Sequence, residues 1–131
     1  MIGLLIITHE TLGVAYTQLA QHIFPHMNFD HIRLLNVENT DDHENIIARA
    51  HAMLPEINRG KGVLILTDIF GATPCNAAMK MVVPQQSAMM SGLNAPMLIK
   101  ALTYSTQADD LHDFVAQVKQ AGINGIMAFM E

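Results

Sequence analysis

The sequence is poor in the residues that build disulfide-rich, zinc-binding or nucleic-acid-binding domains. Among its 131 residues there is one cysteine and no tryptophan, and 7 lysines and arginines stand against 12 acidic residues. Cys75 cannot form an internal disulfide, and no set of His and Cys residues shows structural-zinc spacing, which favours a cytoplasmic location. The basic residues are scattered singly and the formal net charge is -5, so the sequence predicts no nucleic-acid partner.

Long hydrophobic runs are also missing. The apolar start, from Ile2 to Ile7, spans six residues, follows no basic segment and leads directly into Thr8, His9 and Glu10. It is too short for a membrane span and lacks the pattern of a signal peptide. With 50% hydrophobic residues in 131 positions, the sequence predicts a single domain covering residues 1–131.

Apolar segments of two kinds alternate along the chain. Short, nearly continuous runs are typical of strands buried on both faces of a parallel sheet, whereas apolar residues at helical spacing predict helices that cover such a sheet. This alternation predicts an α/β fold with an open, mostly parallel sheet covered by helices on both faces. The expected strands are Ile2 to Thr8, Ile32 to Val37, Val63 to Thr67, Ser87 to Ser91 and Ile126 to Met130. The expected helices are Thr11 to about Phe24, one capped by Asp41 or Asp42, Pro74 to about Val82, Ala95 to Ser105, and Asp110 to Ala121, closed by Gly122.

Two residues whose side chains could take part in a reaction follow strands one and three. His9 comes directly after the first strand and Asp68 directly after the third. Because the carboxyl ends of parallel strands share one edge of a sheet, we expect these side chains to meet there. A carboxylate on one imidazole nitrogen fixes the tautomer and leaves the other nitrogen bare, as a nucleophile requires. The pair therefore predicts a histidine nucleophile, His9, oriented by Asp68.

The segment after Asp68 adds groups that suit a phosphate. Gly71 lets the backbone approach closely, and Thr73 followed by Pro74 predicts the start of a helix, with Thr73 as its N-cap. Helix N-termini attract phosphate through free N–H groups, and the Thr73 hydroxyl could donate to a phosphoryl oxygen. We therefore expect Gly71 and Thr73 to form a phosphoryl-binding loop.

Three motifs make the sequence resemble the IIA proteins of the mannose family of bacterial sugar phosphotransferase systems, over essentially its whole length. The motifs are Ile6-Ile7-Thr8-His9, then Leu66-Thr67-Asp68-Ile69-Phe70-Gly71-Ala72-Thr73-Pro74-Cys75-Asn76, and Ser91-Gly92-Leu93-Asn94-Ala95-Pro96-Met97. The resemblance implies that His9 accepts phosphate from a histidine-containing phosphocarrier protein and passes it to a IIB component. It also implies that Asp68 orients His9 and that Thr73 lies beside the phosphoryl group.

The resemblance has further implications for partners. It implies a homodimer in which the last strand, Ile126 to Met130, is antiparallel and lies at the interface. Since the sequence contains no fused IIB domain, the acceptor is expected on a separate chain. No metal and no cofactor are required, and a membrane is involved only indirectly, through the transporter components.

Three positions depart from the family pattern. Glu10 replaces the Gly that usually follows the histidine, and its charge would repel an incoming phosphoryl group if it lies close. Ala72 replaces the second of two paired glycines, from which we infer a negative φ at this position. Asn94-Ala95-Pro96 has Ala95 where the family has a larger apolar residue, which concerns partner contacts more than chemistry.

Other functions were weighed against the phosphoryl carrier. A regulatory module that binds partners according to the phosphorylation of His9, without sugar transport, remains the main alternative. A receiver-like domain would need an acidic pair after the first strand to hold Mg²⁺, and this sequence has one Glu beside a His. The phosphate-binding loops G-x-x-x-x-G-K-[ST] and G-x-G-x-x-G are absent.

Cys75 is expected to be buried, and the six other histidines are expected at the surface: His22, His26, His31, His43, His51 and His112.

Overall fold

A parallel sheet with strand order β2-β1-β3-β4 organises the protein. The computed structural model describes residues 1–69 and 72–130. Its strands are β1 (Gly3–His9), β2 (Ile32–Val37), β3 (Val63–Thr67) and β4 (Ser87–Met90). Its helices are α1 (Leu12–Ile23), α2 (His43–Ile57), α3 (Thr73–Met79), α4 (Ala95–Tyr104) and α5 (Leu111–Asn124). This architecture confirms the predicted α/β fold, and all pairings between these strands are parallel.

Helices cover both faces of the sheet, because alternate strand residues face opposite sides. On one face, Leu4 and Ile6 of β1 pack with apolar residues of α1, α4 and α5. On the other face, Leu5 and Ile7 pack with residues of α2 and α3. All four of these side chains are at most 1% exposed, which explains why the first strand reads as a continuous apolar run.

Three helix ends differ from the expectation. α3 begins at Thr73 with Ala72 as its N-cap and no side-chain cap bond, so the prediction of Thr73 as N-cap is wrong by one residue. α3 also ends at Met79 instead of Val82. α5 continues through Gly122 to Asn124, and Gly122 serves a packing role, because it lies against the side chain of Met97, where a Cβ would not fit. The predicted cap of α2 is confirmed as Asp42, which accepts a 2.7 Å hydrogen bond from the Asn45 N–H.

The segment Ile126 to Met130, predicted as a last strand, forms no strand in the single chain. Ile126, Phe129 and Met130 are 75%, 87% and 93% exposed. β4 is the edge of the sheet next to α5. The antiparallel pairing expected of this segment is therefore not seen within one copy of the chain.

Two further expectations concern burial. Cys75 is buried, as predicted. His31, predicted at the surface, is 2% exposed and bonds through Nε2 to the Ser105 hydroxyl at 2.8 Å, so that prediction is wrong. No helix in the described part of the chain is long and apolar enough to cross a membrane.

Candidate functional site

His9 and Asp68 meet at the carboxyl edge of the sheet, as their positions predict. β1 and β3 are hydrogen-bonded neighbours in parallel register, with Ile7 opposite Thr67, so both chains leave the sheet side by side. The imidazole Nδ1 of His9 lies 2.8 Å from Oδ2 of Asp68. The backbone N–H of His9 donates to the same oxygen at 3.0 Å. The carboxylate therefore holds both the main chain and the ring of His9.

Asp68 is held as a carboxylate by its hydrogen bonds. Burial alone raises the pKa of this carboxyl group, but bonds from the His9 backbone, the His9 ring and the Ile69 N–H outweigh it and lower the pKa below 3.8. The Ile69 N–H donates to Oδ1 at 2.9 Å. Near neutral pH the ionised Asp68 can only accept a hydrogen bond, so Nδ1 of a neutral His9 carries the proton.

The remaining nitrogen of His9 is therefore available for reaction. With the proton on Nδ1, Nε2 has a free electron pair, which is the state of a nucleophilic imidazole. The side chain of His9 is 42% exposed, whereas that of Asp68 is 5% exposed. The buried carboxylate of Asp68 thus holds an imidazole that is accessible to solvent.

Two hydrogen bonds that the sequence did not predict stabilise the segments around His9 and Asp68. The buried Thr8 hydroxyl accepts a 2.8 Å bond from the Gly13 N–H and so ties β1 to the start of α1. The loop after β4 returns to β3, where the Gly92 N–H donates to the Asp68 carbonyl at 3.1 Å. The bond between Gly92 and Asp68 joins segments distant in sequence, and the bond between Gly13 and Thr8 depends on one side-chain rotamer. No local sequence pattern therefore predicts either bond.

The proposed phosphoryl-binding residues are only partly described. Gly71 lies outside the described residues. Thr73 is exposed at the first position of α3, a helix that packs against β1 and β3. In the part of the chain that the structure describes, no hydrogen bond joins Thr73 to His9 or Asp68. Ala72 has φ of -85°, which confirms the negative φ inferred from the replacement of glycine.

Glu10, the residue after His9, has an unusual backbone conformation. Its φ is +48°, in the left-handed region that favours glycine. The residue is exposed, and its N–H donates to the Val37 carbonyl at 2.8 Å, which continues the pairing between β1 and β2. The sequence marked Glu10 as a charge near the site but gave no sign of this backbone geometry.

The fold and site together define a class of protein, namely α/β domains that present an accessible histidine, oriented by a buried carboxylate, at the carboxyl edge of a parallel sheet. Within the described part of the chain, no group of three or more His, Cys, Asp or Glu residues could hold a metal ion. The contact between Nδ1 of His9 and Asp68 gives His9 the geometry that nucleophilic attack through Nε2 needs.

Comparison with known proteins identifies the family within this class. Residues 3–119 match the family model described as PTS system fructose IIA component. The chain is 33% identical over 86 residues to the PTS system mannose-specific EIIAB component of Escherichia coli, covering 65% of this chain and 27% of that protein. It is 29% identical over 104 residues to the PTS system fructose-specific EIIA component of Bacillus subtilis, covering 79% and 70%.

Solved structures agree in fold. The phosphotransferase system component EIIA from Streptococcus agalactiae superposes with a TM-score of 0.84 at 24% identity, covering 98% of both chains. The mannose/sorbose-specific IIA subunit from Enterococcus faecalis gives a TM-score of 0.83 at 23% identity, covering 99% of this chain and 96% of that one. The chain belongs to the mannose-type EIIA family of the sugar phosphotransferase system. EIIA proteins of this family are in general phosphotransferases.

Proposed function

We propose that the protein is a phosphoryl carrier in which Nε2 of His9 accepts phosphate from a histidine-containing phosphocarrier protein and passes it to a IIB component on a separate chain. The observation that carries this proposal is the 2.8 Å contact between Nδ1 of His9 and Asp68, which leaves Nε2 free and accessible. The proposal places the protein in the cytoplasm, with no metal or cofactor in the reaction.

We propose that the phosphoryl transfer is an in-line displacement. The electron pair of Nε2 forms a bond to phosphorus while the N–P bond of the donor breaks, and that electron pair returns to the donor imidazole. The His9 ring gains positive character as the new bond forms, because Nδ1 keeps its proton. Asp68 stabilises this charge from its buried position, and its fixed geometry removes the need for reorganisation. Onward transfer repeats the same steps with His9 as the donor.

Phosphoryl binding is assigned to the segment between β3 and α3. We propose that the Gly71 loop supplies backbone N–H groups and that the exposed Thr73 hydroxyl donates to a phosphoryl oxygen. α3 follows the carboxyl end of β3, which is the neighbour of β1, so the start of this helix lies at the same edge of the sheet as His9.

The substrate of the whole system is left open. The matched relatives carry mannose-specific and fructose-specific names, and the chain spans 27% of the length of the Escherichia coli protein. We propose that the choice of sugar is made by transporter components on other chains. Regulation without transport is the alternative, in which phosphorylated His9 governs binding to a partner and no IIB component accepts the phosphate.

The experiment that tests the carrier is phosphorylation of the purified protein by phosphoenolpyruvate, enzyme I and the phosphocarrier protein, followed by mass spectrometry under alkaline conditions. We expect one phosphoryl group on His9, none in His9→Ala, and full labelling in the control His26→Ala, which changes an exposed histidine elsewhere. Labelling that survives His9→Ala would reject the assignment. Addition of an unphosphorylated IIB component then separates transport, in which the label is lost to IIB, from regulation, in which it is kept.

We also propose that two copies of the chain associate through the segment Ile126 to Met130, paired with the free edge of β4 in the partner. Four of its apolar side chains, Ile126, Met127, Phe129 and Met130, are 69% to 93% exposed, more than a stable monomer usually leaves at one place. A groove beside β4 is lined by Met89, Met90 and Ile123, an apolar surface that such a segment could cover.

A further inference from the structure

The backbone conformation of Glu10 is energetically unfavourable for a residue other than glycine, and no role described so far accounts for it. A non-glycine residue with φ of +48° is less stable than glycine at the same place, and Glu gains none of the local hydrogen bonding that helps Asn or Asp there. Such outliers cluster at functional sites, where the surrounding structure holds them in place. Glu10 is held by the 2.8 Å bond from its N–H to the Val37 carbonyl and directly follows His9.

The charge of Glu10 is not neutralised within the protein. Among residues 1–69 and 72–130, none of the ion pairs includes Glu10. Arg49, on the helix that follows β2, is engaged by Asp41 at 3.2 Å. The next residue after Val37 is another exposed acid, Glu38, so the corner beside His9 is negative.

We propose that Glu10 raises the phosphoryl-transfer potential of phosphorylated His9 by like-charge repulsion, so that His9 holds its phosphoryl group weakly and gives it up readily to the acceptor. This inference rests on the proposed phosphorylation of His9. Consecutive Cα atoms are about 3.8 Å apart, and with the lengths of the two side chains added the exposed carboxylate and a phosphoryl group on Nε2 lie at most roughly 14 Å from each other. A phosphoryl group carries close to two negative charges, and both groups belong to exposed or half-buried side chains. Repulsion over roughly 8–14 Å in water changes an equilibrium constant about two- to fivefold.

The test measures the phosphoryl equilibrium between the phosphocarrier protein and this protein. Known amounts of phosphorylated carrier and unphosphorylated protein are mixed at about 10 mM ionic strength, quenched in alkali, and both phosphorylated species are quantified. Glu10→Gln removes the charge and keeps the side-chain length. Glu56→Gln removes the same charge from an exposed site on α2, where the Gln oxygen can still accept from Arg33 Nε.

We expect Glu10→Gln to shift the equilibrium about two- to fivefold toward phosphorylated His9, with Glu56→Gln unchanged. The shift should shrink at about 1 M salt, where the screening length falls to about 3 Å. An equilibrium for Glu10→Gln equal to that of the unaltered protein at low salt, or a shift in the opposite direction, would overturn the role of Glu10. Absence of label in every variant would instead contradict the proposed function.

Glu10→Gly separates backbone strain from charge. It should shift the phosphoryl equilibrium as much as Glu10→Gln does and, unlike Glu10→Gln, should also raise the midpoint of thermal unfolding, because glycine adopts positive φ without strain. If Glu10→Gly alone shifts the equilibrium while Glu10→Gln does not, the backbone and not the charge controls transfer, and the proposal is wrong.

Discussion

At the scale of single residues, the buried carboxylate of Asp68 decides which nitrogen of His9 reacts. Its oxygens accept three bonds, from the His9 ring, the His9 main chain and the Ile69 main chain. An amide at this position has nearly the same shape but no negative charge. It would no longer stabilise positive charge on the imidazole ring during transfer.

We predict that Asp68→Asn slows phosphorylation of His9 about 10-fold to 100-fold, by analogy with carboxylates that orient metal-bound histidines. The measurement is the initial rate of label transfer from the phosphorylated carrier protein. Asp109→Asn, at an exposed position, serves as the matched control. A rate for Asp68→Asn within twofold of the control would remove Asp68 from the mechanism.

His31 is the residue whose burial the sequence did not predict, and it adds a pH dependence to stability. Burial, followed by the nearby Arg59 charge, lowers the pKa of His31 below its usual 6.5. The folded protein therefore binds this proton less readily than the unfolded chain does. The stability contributed by neutral His31 is complete above pH 6.5 and is lost as the pH falls from there toward the lower folded-state pKa.

We expect the urea midpoint of the protein to fall between pH 7 and pH 5 by more than that of His31→Gln, since Gln can also bond to Ser105 but does not titrate. The lowered pKa of Asp68 acts in a separate range, because its contribution is lost only as the pH falls below about 3.8. Parallel pH profiles for the two proteins would show that His31 contributes nothing to this dependence.

At the scale of elements, strand positions were more predictable than helix ends. β2 and β3 lie where the sequence predicts them, and β3, which is buried throughout, leaves a continuous apolar signature. The pairing of His9 with Asp68 was predictable because both residues follow parallel strands, whose carboxyl ends share one edge of the sheet. By contrast, Gly122 lies inside α5 and against Met97, and Glu10 has a positive φ while its N–H bonds to the Val37 carbonyl. Both are tertiary effects that no local pattern expresses.

The contact between β1 and the end of α2 provides a test of packing. A Cβ on Gly3 would collide with the backbone carbonyl of Ile57, which cannot move aside as a flexible side chain can. We predict that Gly3→Ala lowers the free energy of unfolding by about 1–3 kcal/mol, the usual range for an overpacked interior position.

Denaturant unfolding measures this change. Gly60→Ala is a useful comparison, because a Cβ there meets nothing within 4 Å and only the positive φ of +99° is unfavourable. A Gly3→Ala protein as stable as the unaltered one would mean that α2 shifts without cost relative to β1.

At the scale of the whole molecule, the association proposed for two copies involves the edge of β4 and the exposed segment after α5. A strand edge presents unpaired backbone groups, which natural proteins usually cover. Coverage by the segment Ile126 to Met130 of a second copy would satisfy these groups and bury its apolar side chains.

We therefore predict a dimer by analytical ultracentrifugation and its dissociation in Phe129→Asp, which places a charge where an aromatic side chain of the segment is 87% exposed. Ile23→Asp, at a 42% exposed position on α1, should leave the dimer intact. A monomer at all concentrations in the unaltered protein would contradict the association. The His9 site can be assayed in both states, so a dissociated variant also shows whether phosphorylation requires the dimer.

The double attachment of His9 to Asp68 also has an entropic consequence. An exposed side chain normally samples several rotamers and loses that freedom when a partner binds, at a cost of about 0.5–1.5 kcal/mol for each side chain immobilised. Here the bonds to the ring and to the main chain restrict the imidazole before any encounter. Donor and acceptor proteins would therefore meet the same preordered ring, and neither association would be weakened by the entropy of ordering it.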